Sequence, residues 1–594
     1  MADYKAVDQD LRDGPVKERR CTDILCTFIF TVFVAAMIVI GIFGFKNGNP
    51  DMVLYPYDSS GNQCGLSDTV TADYPYLYYV NPDESTKYTT CVKSCPKNYT
   101  DVVECYPNTW VTSCAFTATT KDGGIYDYEP YESSSVLGKA CLPNPDAIGG
   151  KTEKFMDYIE SDQFTQYMTD IAVCWSMVLG VLGMAIVISI LYMIFVRFFV
   201  GCALWLSFAA IIGLFVLFGL FLDYSAKEYY GGAESTKTNT ALRIVAILCY
   251  IIAGLSLLLI ICMRKRIELA VAIMKSASLF IADVWESLLV PVVMFLISIL
   301  TITFWVIALV YLYSSGTVEK KEKYSAMAHI KFDQTLRNAF WFEFLGILWI
   351  DAFKVAMTEF IIACACCIWY FRAKKDESPI CTATKYGIFY HIGSVAFGSF
   401  ILSLVILIKW LLRLISEKIY KEAGGDSNPA LKCCCSCLNC LVSCFERFVK
   451  FLNTQAYIRV AMSGENFCTA AQSAFTLMIE NAARYTILGG VGTILNFLGK
   501  VLITLLTAWL GYVIITNTDY YSENISSPIP PTVVFIIVCY LVASLFMSVY
   551  SMACETIIQA FLIDEKSNGT SVYAPEPLVE FMKENREEKK GGCC

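Results

Sequence analysis

Apolar residues along this chain are gathered into long continuous runs, and polar segments separate these runs. A helix needs about 20 apolar residues to cross a hydrocarbon core that is about 30 Å thick. Runs near this length lie at 24–45, 170–196, 199–222, 241–263, 286–313, 339–370, 386–415, 488–516 and 532–562. The pattern therefore predicts an all-α polytopic membrane protein, embedded in a lipid bilayer.

The composition agrees with this prediction. The chain is 56% hydrophobic and 17% charged, and its mean hydropathy is +0.52, which is too apolar for a soluble surface. The run at 24–45 is too long and begins too late for a cleaved signal peptide, so we expect it to remain as an anchor. The formal net charge is -8 and no basic stripe with interleaved aromatic residues occurs, which argues against a nucleic-acid partner.

The polar segment at 46–168 has the composition of a secreted domain. It contains the glycosylation sequon Asn98-Tyr99-Thr100 and an even number of cysteines, which are Cys64, Cys91, Cys95, Cys105, Cys114 and Cys141. These features predict an oxidised extracellular or lumenal loop that is glycosylated at Asn98 and held by disulfides. The alternative is a chance sequon beside reduced thiols. The sequence does not determine how the cysteines pair.

Charges and a second sequon set the expected orientation. Lys17, Arg19 and Arg20 precede the first run and place the N-terminus in the cytosol. The sequon at Asn524 predicts a second glycosylation site and places 517–531 outside. We therefore expect a cytosolic N-terminus at 1–23, a first span at 24–45, the outer loop at 46–168, a transmembrane bundle at 169–563 and a cytosolic tail at 564–594.

This orientation requires one more crossing between 417 and 485, which gives about ten transmembrane helices. Either 439–470 crosses despite Glu446, Arg447 and Lys450, or the run at 386–415 is re-entrant. Hydropathy does not distinguish between these two alternatives.

Several motifs are shared in order with a known family. They are "FGFKNGNPDMVLYPYDSSGNQCG" (43–65), "CVKSCP" (91–96), "RFFVG" (197–201), "RKRIELAVAIMKSAS" (264–278), "YHIGSVAFGSFIL" (390–402), "AYIRVAMSGENFCTAAQSAF" (456–475), "FLGK" (497–500) and "SVYSM" (548–552). Together they cover nearly the whole chain, which resembles the choline transporter-like family of solute carriers. The resemblance implies a transporter of choline or ethanolamine in the plasma membrane or an organellar membrane. The chain departs from the family at Glu359, where the family carries Gln.

Choline is a quaternary ammonium ion without an N–H group, so a protein must hold it with aromatic faces, each worth about 0.5–2 kcal/mol. Trp349 lies near the middle of the sixth predicted span and is the best candidate for such a cage. Trp305 in the fifth span and Trp175 in the second follow it. The alternative role for tryptophans in spans is an aromatic belt at the membrane surface.

The sixth predicted span also contains ionisable residues, which are costly inside a membrane and usually face a bundle interior. Asp351 and Lys354 are three positions apart, so we expect them to form an intrahelical ion pair. Glu359 lies on another part of the helix surface. It is predicted either to line a cavity and contact a cation or to pair with a basic group on another span.

The chain carries no recognisable catalytic set. No HExxH, GxSxG or Walker motif occurs, and only two histidines are present. We therefore predict no enzyme activity, no metal site and no cofactor. His391 is predicted to be either a gating group or a structural residue with satisfied hydrogen bonds.

The segment "LKCCCSCLNCLVSC" (431–444) is dense in cysteine, but it lacks the histidines or second CxxC pair of a zinc site. In the cytosol its thiols are candidates for S-acylation, whereas outside they favour disulfides. The terminal Cys593 and Cys594 are further lipidation candidates.

Two functions are consistent with these patterns. The first is transport of choline by alternating access, with the cation in an aromatic cage. The second is a membrane anchor or scaffold that presents an extracellular partner-binding domain without transporting anything. The sequence does not predict the oligomeric state.

Overall fold

The structure is a computed structural model that describes residue 11 and residues 14–67, 69–80, 89–97, 103–107, 117–119, 125–127, 133–136, 139–143, 170, 173–228, 236–318, 330–371, 378–422, 429–525 and 527–591. The glycosylation candidate Asn98, the cysteine Cys114 and the lipidation candidates Cys593 and Cys594 lie outside the described residues.

Helices dominate the described part of the chain. They are α1 Ile24–Asn47, α2 Asp51–Leu54, α3 Trp175–Glu228, α4 Thr236–Cys262, α5 Arg264–Asp283, α6 Leu289–Ser314, α7 Gln334–Tyr370, α8 Pro379–Phe389, α9 Ile392–Glu422, α10 Pro429–Ser463, α11 Phe467–Glu480, α12 Ala482–Asn517, α13 Asp519–Asn524, α14 Ile529–Asn568 and α15 Glu576–Gly591. Within the described residues, eight helices are long and apolar enough to cross a membrane: α1, α3, α4, α6, α7, α9, α12 and α14. The predicted all-α polytopic class is confirmed.

Helix α3 joins two of the predicted runs. Residues 175–196 of the first run and the whole run at 199–222 lie in one helix of 54 residues, where the hydropathy pattern predicts two separate spans. The junction contains Gly201 but no proline. A single glycine costs about 1 kcal/mol in a helix, which is not enough to end it.

Helices α9 and α10 run antiparallel beside each other. Lys409 on α9 pairs with Glu446 on α10 over 2.7 Å, and Gly398 on α9 accepts a hydrogen bond of 2.7 Å from Asn453 on α10. Residue numbers therefore rise along α10 as they fall along α9. This is the geometry required by the alternative in which 439–470 crosses the membrane.

The loop between α2 and α3 contains a small sheet that the sequence analysis did not predict. Its strands are β1 Tyr76–Tyr79, β2 Thr89–Val92, β3 Cys105–Tyr106, β4 Thr117–Thr119, β5 Ile125–Asp127, β6 Ser133–Val136 and β7 Ala140–Pro143. Five of them pair in the order β3-β2-β1-β7-β6, while β4 and β5 pair with each other. Disulfides join Cys64 to Cys91 and Cys95 to Cys141, and Cys105 is also disulfide-bonded. The predicted disulfide-containing loop is thus confirmed.

The bundle has two ends that are marked by different segments. Residues 14–23, which we call the strap, lie against the end of α10 and the start of α9: Val16 N–H donates to the Met462 carbonyl and Thr22 N–H to the Tyr390 carbonyl, both over 3.0 Å. We call this end the strap face. Helix α1 leads from it to the opposite end, which carries the disulfide loop and which we call the domain face.

The cysteine run begins α10 at the domain face. Glu446, just after the run, pairs with Lys409, and the neighbouring Trp410 ring lies 6.0 Å from Trp341 near the start of α7. The thiols of Cys440 and Cys444 are exposed there. The run therefore shares its end of the bundle with the disulfide loop, and Cys440 and Cys444 are free thiols in the structure.

This placement predicts opposite labelling of two sets of thiols. In sealed vesicles with the disulfide loop outside, a membrane-impermeant maleimide should modify Cys440 and Cys444. Cys381 on α8, exposed near the strap, should react only after the vesicles are permeabilised. Mass spectrometry of the peptides measures both reactions. The reverse pattern would show that α10 begins on the strap side.

Candidate functional site

A cavity of about 570 Å³ lies between α6, α7, α10, α12 and α14. Small-molecule sites in proteins have volumes of about 300–1,000 Å³, so this cavity is large enough to bind a small organic cation. The polar residues in its wall are Ser298, Lys354, Thr358, Glu359, Arg447, Lys450, Thr454, Asn496, Lys500, Ser544, Ser548, Ser551 and Glu555. The apolar part of the wall includes Phe295 and Phe451.

Helix α10 forms one wall of this cavity, and its polar side chains fix its distance from α9. The buried Asn453 amide donates to the Gly398 carbonyl over 2.7 Å. The helices approach closely here because position 398 has no side chain. A Cβ atom at Gly398 would lie 2.4 Å from the Tyr457 hydroxyl oxygen, so even alanine would force the helices apart.

Two carboxylates from different helices face the cavity, and neighbouring side chains of α10 bind both of them. The Thr454 hydroxyl donates to Glu359 on α7 over 3.1 Å. The Gln455 amide donates to Glu555 on α14 over 2.9 Å. Buried carboxylates need such donors because no water replaces them inside a membrane bundle. Helix α10 therefore holds two acidic groups of separate helices at one site.

Basic side chains share the cavity with these carboxylates. They are Lys354, Arg447, Lys450 and Lys500. Lys354 forms the predicted ion pair with Asp351 over 2.6 Å, which confirms that interpretation of the sixth span. Its ammonium group also donates to the Thr301 hydroxyl on α6. The site is thus amphoteric, with four basic side chains and two carboxylates in its wall.

Two polar atoms in the cavity wall are available to a ligand. Asn496 Oδ1 on α12 and Ser544 Oγ on α14 are buried and have no hydrogen-bond partner among the described residues. A buried acceptor without a partner costs about 1–3 kcal/mol. A ligand with a hydroxyl group would recover part of that cost.

The structure places Trp349 in a separate aromatic cluster. Its ring lies 5.1 Å from Phe30 and 5.0 Å from Phe33, both on α1, and 4.6 Å from Phe400 on α9. The indole N–H donates to the Ala396 carbonyl over 3.1 Å. Trp349 therefore joins α7 to α1 and α9, and it does not line the cavity.

The other two cage candidates lie elsewhere. Trp305 on α6 donates to the Glu343 carbonyl on α7 over 3.2 Å. Trp175 begins α3, and 64% of its surface is exposed. In this conformation the three tryptophans are not brought together, and of the four predicted site residues only Glu359 lines the cavity. The glycosylation candidate Asn524 ends α13 on the domain-face side.

The sequence analysis missed half of the acidic site. Glu555 lies in the last apolar run, where an isolated carboxylate carries the same signal that singled out Glu359. Thr454 and Gln455 give no comparable signal, since neutral polar residues on a charged helix are common. Their role depends on which helices surround α10.

Comparisons with known proteins point to one family. A family model described as plasma-membrane choline transporter matches residues 247–566, which include every residue of the cavity wall. The chain is 28% identical to choline transporter-like protein 2 of Dictyostelium discoideum, over 98% of this chain and 97% of the relative. It is 26% identical to choline transporter-like protein 4 of Rattus norvegicus, over 98% and 96% of the two chains. It is 27% identical to choline transporter-like protein 2 of Mus musculus, over 97% and 96%.

The contact between α10 and α14 gives a stability prediction. Gln455→Met keeps the side-chain volume but removes the donor to Glu555, so it should lower the free energy of unfolding by about 1.5–3 kcal/mol. Thermal unfolding in detergent measures this change. Thr493→Val is the matched control, because Thr493 is exposed and bonds only to the Gly489 carbonyl of its own helix. Equal stability of the two variants would contradict the assigned contact.

Proposed function

The chain belongs to the plasma-membrane choline transporter family, whose members are transporters rather than enzymes, and we propose that it carries choline across the membrane by alternating access. The substrate cation binds in the cavity beside Glu359 and Glu555. The observation that carries this proposal is the convergence of two carboxylates, from α7 and α14, on one cavity of about 570 Å³ inside the family-matched segment.

The chemistry of the wall suits choline. The carboxylates attract the ammonium charge, and Phe295 and Phe451 offer apolar and aromatic surface to its methyl groups. Asn496 Oδ1, which has no partner among the described residues, accepts a hydrogen bond from the hydroxyl group of the substrate. Ethanolamine has the same hydroxyl and adds N–H donors that the carboxylates accept, so it is the expected competitor.

The basic residues explain how the same site binds and releases a cation. Lys450 lies close enough to Glu359 and Glu555 to interact with both charges, and Lys500 lines the same cavity. Lysine carries its charge on a flexible four-carbon chain, so each ammonium group withdraws when a substrate cation takes its place. The substrate thus replaces a charge that is already present. Binding and release then require little net change in buried charge.

The remaining sequence predictions extend this proposal. We place the protein in the plasma membrane with the strap face in the cytosol and the disulfide loop outside. The boundaries 1–23, 24–45, 46–168, 169–563 and 564–594 follow from this orientation. Asn98 and Asn524 then lie on the glycosylated side, and Cys593 and Cys594 lie in the cytosol, where lipidation occurs. The cage of Trp349, Trp305 and Trp175 stays a prediction and is the alternative to the acidic cavity as the binding site.

Transport by purified protein in vesicles tests the acidic site. Glu555→Gln should raise the KM for labelled choline at least about tenfold, because an amide does not neutralise the ammonium charge; tenfold corresponds to about 1.4 kcal/mol. Glu359→Gln introduces the residue that the resembling family carries, so it should change the KM by less than Glu555→Gln does. Glu343→Gln is the matched control, since Glu343 is buried on α7 outside the cavity. A wild-type KM for Glu555→Gln would overturn the assignment.

The tryptophan cluster needs its own test. Trp349→Phe keeps an aromatic ring and removes the hydrogen bond to Ala396, so it should lower the melting temperature while leaving the KM for choline within about twofold of wild type. Uptake and thermal unfolding of the same preparation measure both effects. A rise in KM as large as that of Glu555→Gln would instead support the aromatic cage.

A further inference from the structure

The strap crosses the end of the bundle without helix or strand structure and connects directly to α1. Asp23, its last residue, precedes the first residue of α1. It approaches α9 so closely that a Cβ atom at Gly393 would lie 2.2 Å from the Asp23 carbonyl oxygen. Only glycine fits at this position, so the close contact between the strap and α9 depends on Gly393.

Arg19 provides the cap for the end of α10. Its guanidinium group donates to the Val460 carbonyl over 3.0 Å and to the Ala461 carbonyl, and it lies 4.8 Å from the centre of the Tyr386 ring on α8. The last carbonyl groups of a helix have no partner within the helix and carry partial negative charge. A cation supplied by the remote strap therefore satisfies them.

A chain of hydrogen bonds continues from Arg19 into α9. Arginine only donates, so its Nη1 donates to His391 Nε2 over 3.2 Å. His391 Nδ1 then carries the proton and donates to the Thr22 hydroxyl over 2.9 Å. Burial, together with the neighbouring Arg19, lowers the pKa of His391 to about 3, so the ring is neutral at cytosolic pH.

The same chain ends on a carboxylate of the strap. The Thr22 hydroxyl bonds to the Ser394 hydroxyl over 2.8 Å, and Ser394 donates to Asp23 Oδ2 over 2.6 Å. Asp23 Oδ2 also accepts the Phe467 N–H at the start of α11, over 2.8 Å. An arginine and an aspartate of one short segment thus bind the end of α10 and the start of α11, with α9 between them.

Beneath the strap, the bundle is closed. Every residue of α7 from 360 to 368, of α10 from 456 to 463 and of α14 from 557 to 564 is buried. These stretches follow the cavity residues Glu359, Thr454 and Glu555 on the same helices, towards the strap face. The described residues therefore form a solid layer between the cavity and this end of the protein.

We propose that the strap is the inner gate of the transporter: it locks the closed strap face, and Arg19 must leave the end of α10 before the cavity opens to the cytosol. The inference rests on the proposed function only in taking the cavity as the substrate path. Because the strap leads directly into α1, its release moves that helix as well. Opening at one face is thereby linked to a helix that reaches the other.

Native cysteines report the state of this gate without any transport assay. Cys364, Cys366 and Cys367 lie in the closed layer and are fully buried. Arg19→Ala should speed their modification by a small maleimide at least about tenfold in detergent or nanodiscs, because the closed state loses its cap. Gly393→Ala should have the same effect, since it displaces the strap without removing a charge. Peptide mass spectrometry measures the rates.

Two controls separate gating from general unfolding. Arg20→Ala removes a charge from the neighbouring exposed position of the strap and should leave the rates unchanged. Cys539, buried on the domain-face half of α14, should stay protected in every variant. Unchanged protection of Cys364, Cys366 and Cys367 in both Arg19→Ala and Gly393→Ala would overturn the strap proposal. Equal exposure of Cys539 would do so too, because it would indicate unfolding.

Choline uptake by the same variants separates the two proposals. If the cysteines become reactive but wild-type protein transports no choline, the gate stands and the proposed substrate is wrong. If wild-type protein transports choline and the cysteines stay protected in both variants, the substrate assignment stands and the gate is wrong.

Discussion

The structure depends on one constraint: inside a membrane bundle, a buried polar group is costly unless the protein supplies its partner. Helix α10 meets this constraint with three consecutive side chains, Asn453, Thr454 and Gln455, which bind α9, α7 and α14 respectively. Such bonds are directional and short, so they fix how these helices rotate and how far apart they stand. The position of the two cavity carboxylates follows from them.

The same constraint explains which parts of the fold were predictable. Eight of the nine apolar runs contain a helix of sufficient length and hydropathy, because burial in lipid selects apolar residues directly. Helix α10 does not meet the hydropathy criterion because it carries Glu446, Arg447 and Lys450, although Glu446 pairs with Lys409 of α9. Only the parity of crossings indicated it. The continuous α3 was predicted as two spans because its junction is polar at Arg197, although no residue there breaks a helix.

The candidate site also contains residues that the sequence could predict and residues that it could not. Glu359 was predictable because an isolated carboxylate in an apolar run has few roles, and Glu555 offered the same signal in the last run. Trp349 was chosen by its depth in the span, but depth does not specify a neighbour. Its ring packs on Phe30 and its N–H binds the Ala396 carbonyl, contacts that depend on where α1 and α9 lie. Helix arrangement is a property of the whole chain, and one sequence does not reveal it.

The cavity and the strap both contact helix α10, which is a rigid element. Thr454 and Gln455, which hold the carboxylates, lie about six residues from Val460 and Ala461, which Arg19 caps; along a helix this is about 9 Å. A helix transmits displacement over such a length because its own hydrogen bonds resist stretching. In the proposed mechanism, release of the end of α10 by the strap also moves the donors to Glu359 and Glu555. Opening of the inner face and binding of the cation are then coupled through this one helix.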